Sequence, residues 1–267
     1  FHHHDVGALG DIEFDLAELE PADWEATAAR IRWHLSTPYA VALKTIFGEA
    51  FVSGMVLGIA HHGSGWVGDR LFHPAKRTDA LYRFALQAMC DALEQKGCRT
   101  ISALVAPPER AHFESLGFTP IGDYVKYSGG TTEAPTLDEV ELFEPHMSMG
   151  VLHLDRLASG EDRRALVSEH FYASRIFIKN GRVQGNYIVL LGEGLLIAQS
   201  AFVGEELLRW HLPHVSDIWV PEQNNAAVDF LQRRGYQEAD RVTRMGRGPA
   251  LDWRPEMIFG RIGANLG

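Results

Sequence analysis

"LFHPAKRTDALYRFAL" (residues 71–86) decides how the chain is read, because an apolar strand end runs there straight into a helix. Lys76, Arg77 and Arg83 cluster at the junction. A junction that receives a phosphorylated cofactor usually keeps small residues, so that backbone N–H groups at the positive end of the helix reach the phosphates. Here Ala80 and Tyr82 stand where glycines are expected. The helix itself is well marked over 78–96: Thr78 caps its start, Gly97 ends it, and Leu81, Phe84, Ala85, Ala88, Met89, Ala92 and Leu93 share a face. An altered cofactor site and an ordinary helix start both fit these residues.

Working outward, "DIEFDLAEL" (11–19) reads as an opening strand and "EPADWEATAARIRWHL" (20–35) as a helix. "YAVALKTIFGEAFVSGMVLGIAHHGSGWVGDRLFHP" (39–74) is three apolar stretches broken at Gly48 and Gly63–Gly65, an antiparallel meander. After the helix come a strand, "RTISALVA", a short helix, "PERAHFESLG", and a closing strand, "FTPIGDYVKYS". Residues 129–147 are rich in turn formers and acids and read as a linker. In the second half, "RIFIKNGRVQGNYIVLL" is a hairpin around Asn180-Gly181. "NAAVDFLQRRGYQEADRVTRM" (225–245) lies on "PPERAHFESLGFTPIGDYVKY" (107–127) without a gap, matching Gly235-Tyr236 to Gly117-Phe118. Both stretches are a short helix, a glycine, an aromatic and an outgoing strand, so the chain reads as one plan used twice.

The composition is that of a globular chain, 46% hydrophobic and 22% charged over 267 residues, enough for one large or two ordinary domains. A net charge of −10 argues against binding nucleic acid through its phosphates, and mildly favours a cationic small-molecule partner. No apolar run is long enough for a membrane helix, and "FHHHDVGALG" lacks the regions of a signal peptide; His2, His3 and His4 read as a tag remnant within an extension over 1–10. Cys90 and Cys98 lack the spacing of a zinc site or disulfide framework and are expected as buried thiols in a reducing cytoplasm. His61 and His62 are adjacent on a strand and point apart, and His211 and His214 bracket a proline on a loop; no metal site is expected.

These residues resemble the GNAT superfamily of N-acetyltransferases, whose pattern is a meander, a strand feeding a helix through Q/R-x-x-G-x-G/A, a strand, and a helix ending in Y-E-x-x-G-F. In "HPAKRTDALY", Arg77 takes the Q/R place, Ala80 the first glycine place and Tyr82 the second; in "RAHFESLGF", Phe113 takes the tyrosine place. "NNAAVDFLQRRGY" fits the second motif with Leu231 at the tyrosine, and the ending "TRMGRGPALDWRPEMIFGRIGANLG" looks like the tail of the tandem YitH-like subgroup. The fold implied is α/β (α+β): two tandem GNAT-like domains, over 11–128 and 148–267, each a mixed, mostly antiparallel twisted sheet flanked by helices. The second domain lacks the cofactor motif.

The resemblance implies acetyl-CoA as co-substrate and a primary amine on a small molecule or peptide as acceptor. Its pantetheine arm would pair with the backbone of Leu71, Phe72 and His73. The pyrophosphate would sit on the helix start formed by Lys76, Arg77, Thr78, Asp79, Ala80, Leu81 and Tyr82, with Phe113 beside it. Asp69 is the candidate base, acting through water, and a solvated strand face explains it equally well. Phe113 lacks the hydroxyl that would protonate the leaving thiolate, a loss that slows an enzyme without excluding one, and Tyr124, Tyr127 and Tyr82 are the candidate substitutes, Tyr124 first. The rival reading is a degenerate, non-catalytic module that binds an acyl-CoA or serves as an interaction domain, and a third is a homodimer surface.

Overall fold

The computed structural model describes residues 4–8, 19, 21, 23–48, 51–264 and 266. The chain divides into two compact units that are not the two halves of the sequence. Unit 1 comprises Phe1–Thr119, Met245–Pro249 and Ala264–Leu266; unit 2 comprises Pro120–Arg244, Ala250–Gly263 and Gly267.

Unit 1 is a meander closed by one parallel pair. Strand β1 (His4–Ala8) pairs with β2 (Ala40–Phe47), β2 with β3 (Phe51–Ala60) and β3 with β4 (Ser64–Phe72), all antiparallel. The strand expected over 11–19 lies outside the described residues apart from Leu19, which is buried, and so do His2 and His3. His4, read with them as a tag remnant, instead starts a strand in register with β2. Helix α1 (Trp24–Ser36) is capped by Asp23, whose carboxylate accepts from the Ala26 N–H, and it buries Ala28 and Ile31 against Val52, Met55 and Leu57 of β3.

Helix α2 (Asp79–Gln95) starts where Thr78 accepts from the Leu81 N–H and stops before Gly97 at φ +89°, as its sequence predicts. Its buried face keeps Leu81, Ala85, Met89 and Leu93 of the expected one and is otherwise rotated from it. Phe84 is 39% exposed, whereas Tyr82 is 2% exposed and runs in line with Leu86, Met89, Cys90 and Leu93. The reason is that the sheet is covered on both faces, which makes β3 buried almost throughout and turns the widest apolar arc of α2 inward. Strand β5 (Thr100–Val105) lies parallel to β4, and a turn at Pro107–Glu109 leads into α3 (Arg110–Ser115). Beside β5, Met245 joins the same core and Thr100 Oγ1 donates to the Pro249 carbonyl at 2.7 Å.

Unit 2 begins with β6 (Thr119–Ser128), β7 (Val140–Leu142), α4 (Ser148–Ser159), α5 (Arg164–Ser168), β8 (Arg175–Lys179) and β9 (Arg182–Ile188). It continues with β10 (Leu195–Ala198), α6 (Ala201–His211), β11 (Asp217–Pro221), α7 (Asn225–Arg233), β12 (Gln237–Arg247) and β13 (Ile258–Gly260). One sheet runs β13-β10-β9-β8-β7, and β6 lies between β12 and β11. Asn180 and Gly181 both have positive φ and close the β8–β9 hairpin as their sequence predicts. The stretch read as a linker is tied down: β7 pairs with β8, and the buried Glu206 carboxylate accepts from the backbone N–H of Thr136 at 2.6 Å and of Leu137 at 3.0 Å. Among the described residues no helix is long and apolar enough to cross a membrane.

Candidate functional site

The site is built by a fault in strand pairing. Between Val56 and Gly58, two steps along β3 face three along β4, from Val67 to Arg70, so β4 carries a bulge at residues 68–69. The parallel pairing of β4 with β5 runs from Ser64 and Thr100 to Val67 and Ala103 and ends there. Beyond that point β4 continues to Phe72 and then turns into α2, so the two strands part just ahead of a helix N-terminus.

Arg70 closes the parting. Its Nη1 donates to the Gly68 carbonyl of β4 at 2.7 Å and its Nη2 to the Leu104 carbonyl of β5 at 3.3 Å, so one guanidinium bridges the two strands. The same group donates from Nε to the Tyr82 hydroxyl at 3.0 Å and from Nη2 to Glu109 at 2.7 Å. Tyr82 in turn donates to the other Glu109 oxygen at 2.5 Å. Phe113 lies under the guanidinium, 5.3 Å from ring centre to Arg70 Cζ, and the Tyr82 ring sits between Phe72 and His112 at 5.0 and 4.7 Å. Burial pushes the Tyr82 phenol up, so it stays a donor. Burial alone would also raise Glu109, but Arg70, the Tyr82 hydrogen bond and Arg77 more than reverse this and hold the carboxyl below its usual range. The result is a charge-balanced, hydrogen-bonded cluster on three elements.

Neither Arg70 nor Glu109 is among the residues the sequence points to. One signal was present: laid on the second half, Glu109 falls where that half has Ala227, a charge in place of a small apolar residue. The residues expected at the helix start are brought together, in several roles. Thr78 is the cap, Leu81 is core, and Ala80 is exposed. The Asp79 side chain is 85% exposed, with His112 Nε2 3.6 Å from it. Arg77 lies 3.9 Å from Glu109 and over the Tyr82 ring, while Lys76 stands over the Phe47 ring at 4.4 Å. His73 accepts the Ala75 N–H at Nδ1, its ring edge-on to Phe51, and Leu71 packs on the α1 side of the sheet.

Asp69 and Arg70 are neighbours on β4 and project to opposite faces, Arg70 toward α2 and Asp69 toward α1, where it accepts from Arg30 Nε at 2.8 Å. Close by, His34 Nδ1 donates to the Arg30 carbonyl at 2.8 Å, and burial holds that imidazole below its usual value. Tyr124 and Tyr127 belong to unit 2. Tyr124 is buried there beside the guanidinium of Arg244 and the Trp253 ring, its phenol pushed up by burial against the pull of the arginines, and Tyr127 packs in the unit 2 core. Of the three tyrosines that could replace the missing hydroxyl of Phe113, the structure places only Tyr82 in the cluster that closes the parted strands.

The fit of a coenzyme thioester divides along this geometry. At the start of α2 the Asp79 and Ala80 N–H groups precede the first intrahelical bond, with Lys76 and Arg77 nearby, which suits an anion. Between the strands the Arg70 side chain holds the place an extended arm would need. Unit 2 closes its corresponding gap otherwise: β13 lies between β10, to which it pairs, and β11, whose Trp219 carbonyl accepts the Arg261 N–H at 3.3 Å. Among the described residues no three His, Cys, Asp or Glu side chains converge to hold a metal.

A parallel strand pair that parts just ahead of a capped helix, at the end of an antiparallel meander, defines the class of α/β fold. Residues 151–260 match the family described as an acetyltransferase (GNAT) domain. A protein from Pyrococcus horikoshii assigned as an acetyltransferase is 17% identical, with a TM-score of 0.83 over 100% of this chain and 97% of that one. A GCN5-related N-acetyltransferase from Sphaerobacter thermophilus is 12% identical, with a TM-score of 0.61 over 94% of this chain and 98% of that one. A tandem GNAT protein from the clavulanic acid biosynthesis pathway is 12% identical, with a TM-score of 0.54 over 94% and 100%. No curated protein matches the chain. The chain therefore carries the GNAT fold, as the sequence resemblance implied, and its residues 151–260 match the GNAT acetyltransferase-domain model. That fold supports N-acyl transfer in general.

Proposed function

We propose that unit 1 is an N-acyltransferase that moves an acetyl group from acetyl-CoA to a primary amine of a small molecule or peptide, from a resting form that Arg70 latches shut. The observation that carries this reading is the end of β4–β5 pairing at Val67 and Ala103, immediately ahead of a capped helix. Bound there, acetyl-CoA supplies the activated acyl group. The chain supplies the rest. Lys76, Arg77 and the first N–H groups of α2 receive anionic charge, and the backbone of β4 beyond Val67, paired with β3 but not with β5, orients an extended arm. Asp69, held by Arg30, takes the amine proton through water, and the Tyr82 hydroxyl, once released from Glu109, is the nearest proton donor to the parted strands. Cys90 and Cys98 are buried thiols outside any disulfide, which suits a reducing cytoplasmic setting.

Displacing Arg70 from Glu109 costs on the order of 3 kcal/mol, and an opening cost of that size weakens apparent affinity about a hundredfold. The parent should therefore bind acetyl-CoA weakly and transfer slowly. The non-catalytic reading is favoured by the same latch together with the missing hydroxyl of Phe113. Titration with acetyl-CoA and thiol release with a panel of amines, on the parent and on Arg70→Met, separates the two. Weak binding that tightens in the variant, with amine-dependent thiol release, supports the transferase; a folded variant that still ignores acetyl-CoA leaves only the module.

A further inference from the structure

A cleft of about 590 Å³ opens in unit 2 where the start of α4 faces the β8–β9 hairpin. That is the size of a small-molecule site. Gly150 sets how closely the two elements approach, because a Cβ there would stand 2.6 Å from Val183 Cγ2. His146 and His153 lie two helical turns apart on either side of Gly150 and both line the cleft. Arg182 comes from the hairpin and Gln199 from the end of β10, while Met147 and Val183 contribute apolar surface.

The charge of this cleft runs against that of the chain. The protein carries 35 acidic and 25 basic residues, yet the described residues lining the cleft include the Arg182 guanidinium and two imidazoles and no carboxylate; the nearby Glu144 carboxylate is paired with His146 Nδ1 at 3.3 Å, which leaves Arg182 as the fixed charge. The positive end of α4 adds to the same sign. Arg182 makes such a site favour an anion over an amine, and its apolar side suits a ligand that is not all charge. We infer that the cleft binds a small organic anion, a carboxylate or phosphate monoester bearing a short apolar group. Its head sits against Arg182, His146 and His153, and its tail lies over Met147 and Val183. The inference is independent of acyl transfer in unit 1.

The test is titration of the full chain with hexanoate, hexyl phosphate, inorganic phosphate and hexylamine, by calorimetry and by amide shifts of Gly150 and Gly181. Saturable binding of either hexyl anion, exceeding that of inorganic phosphate, with none by hexylamine, is the expected result. Which hexyl anion binds more tightly tells a carboxylate ligand from a phosphate one. Arg182→Ala should weaken binding about tenfold or more, as loss of a charge-assisted hydrogen bond does. His153→Ala should weaken it less. Both side chains are exposed, so unchanged thermal unfolding confirms that the variants fold. The proposal is overturned if neither hexyl anion binds, if hexylamine binds as well, if inorganic phosphate alone matches them, or if Arg182→Ala changes nothing.

Discussion

Replacing Glu109 by alanine tests the latch where it is most exposed to refutation. The Arg70 side chain is 12% exposed and Glu109 16%, so the substitution leaves a nearly buried guanidinium with the Tyr82 hydroxyl and two carbonyls but no counter-charge. Removing one partner of a buried pair costs about 3–5 kcal/mol, and the residual exposure argues for the lower figure. For a protein of this size about 3 kcal/mol corresponds to a fall in Tm of roughly 6–12 °C. Arg70→Met should cost less, because Arg77 stands 3.9 Å from Glu109 and Tyr82 still donates to it. The double variant Arg70→Met/Glu109→Leu replaces both charges by apolar groups and should return to within about 1 kcal/mol of the parent. Urea unfolding of these proteins, with Glu109→Leu added to close the cycle, gives the coupling, expected at about 3 kcal/mol. Acetyl-CoA titration of the same set should show Arg70→Met tightening about a hundredfold. Additivity within about 0.5 kcal/mol, or affinity unchanged in Arg70→Met, would refute the latch. Because Glu109 titrates below the ordinary carboxylate range, its contribution is present above the unfolded value and is lost only as pH falls through the lower folded one, so the latch is fully formed at neutral pH.

Three other outcomes follow from unit 2. His211 is buried against the Tyr187 hydroxyl at 3.0 Å, and burial, with His214 nearby, pushes it down to about 4. The folded chain therefore resists a proton that the unfolded chain accepts near 6.5, and stability should fall by about 3 kcal/mol between pH 6.5 and 4; denaturant titrations across that range should lose most of this slope in His211→Gln. Glu206→Gln weakens the acceptor that holds Thr136 and Leu137, costing about 1–3 kcal/mol, and limited proteolysis should cut residues 129–139 faster. Asn186 is fully buried with neither amide atom bonded to protein, so Asn186→Leu should raise unfolding free energy by about 1–2 kcal/mol; a loss instead would show that the amide is satisfied by bound water.

What the sequence made legible was local backbone chemistry. Gly117 and Gly235 both adopt positive φ, and each is followed by a buried aromatic, which is why the two halves could be laid on one another. Thr78, Gly97 and Asn180-Gly181 act where they were read, because caps and turns need only their neighbours. Pairing over distance was not legible. Nothing in "FTPIGDYVKYS" says that it pairs with Asp217–Pro221, so Tyr124 was assigned to the first half's site and lies in unit 2. Arg70 and Glu109 are 39 residues apart and meet only because β4 parts from β5 there. Tyr82 could have been found: its four-residue spacing to Leu86 and Cys90 marks a buried stripe, whereas the stripe counted through Phe84 does not.

A parallel pair that splays, as in unit 1, or two neighbouring strands that do not pair, as β10 and β11 in unit 2, leaves backbone groups that each unit must satisfy. Unit 2 does so with a strand, β13, whose Phe259 and Ile258 are buried in the core; withdrawing it would expose apolar side chains worth about 1.5–3 kcal/mol each besides breaking its pairing with β10. Unit 1 does so with one side chain. The Arg70 guanidinium needs both Glu109 and Tyr82, since an arginine alone in that gap would be an uncompensated buried charge, and Glu109 without it would face the same difficulty. A closure made of one rotatable side chain opens without disturbing the core, while a closure made of a strand does not. Of the two gaps, the one in unit 1 is therefore the one that a ligand's binding energy can open, which is why the acyl transfer we propose is assigned to β4 and α2.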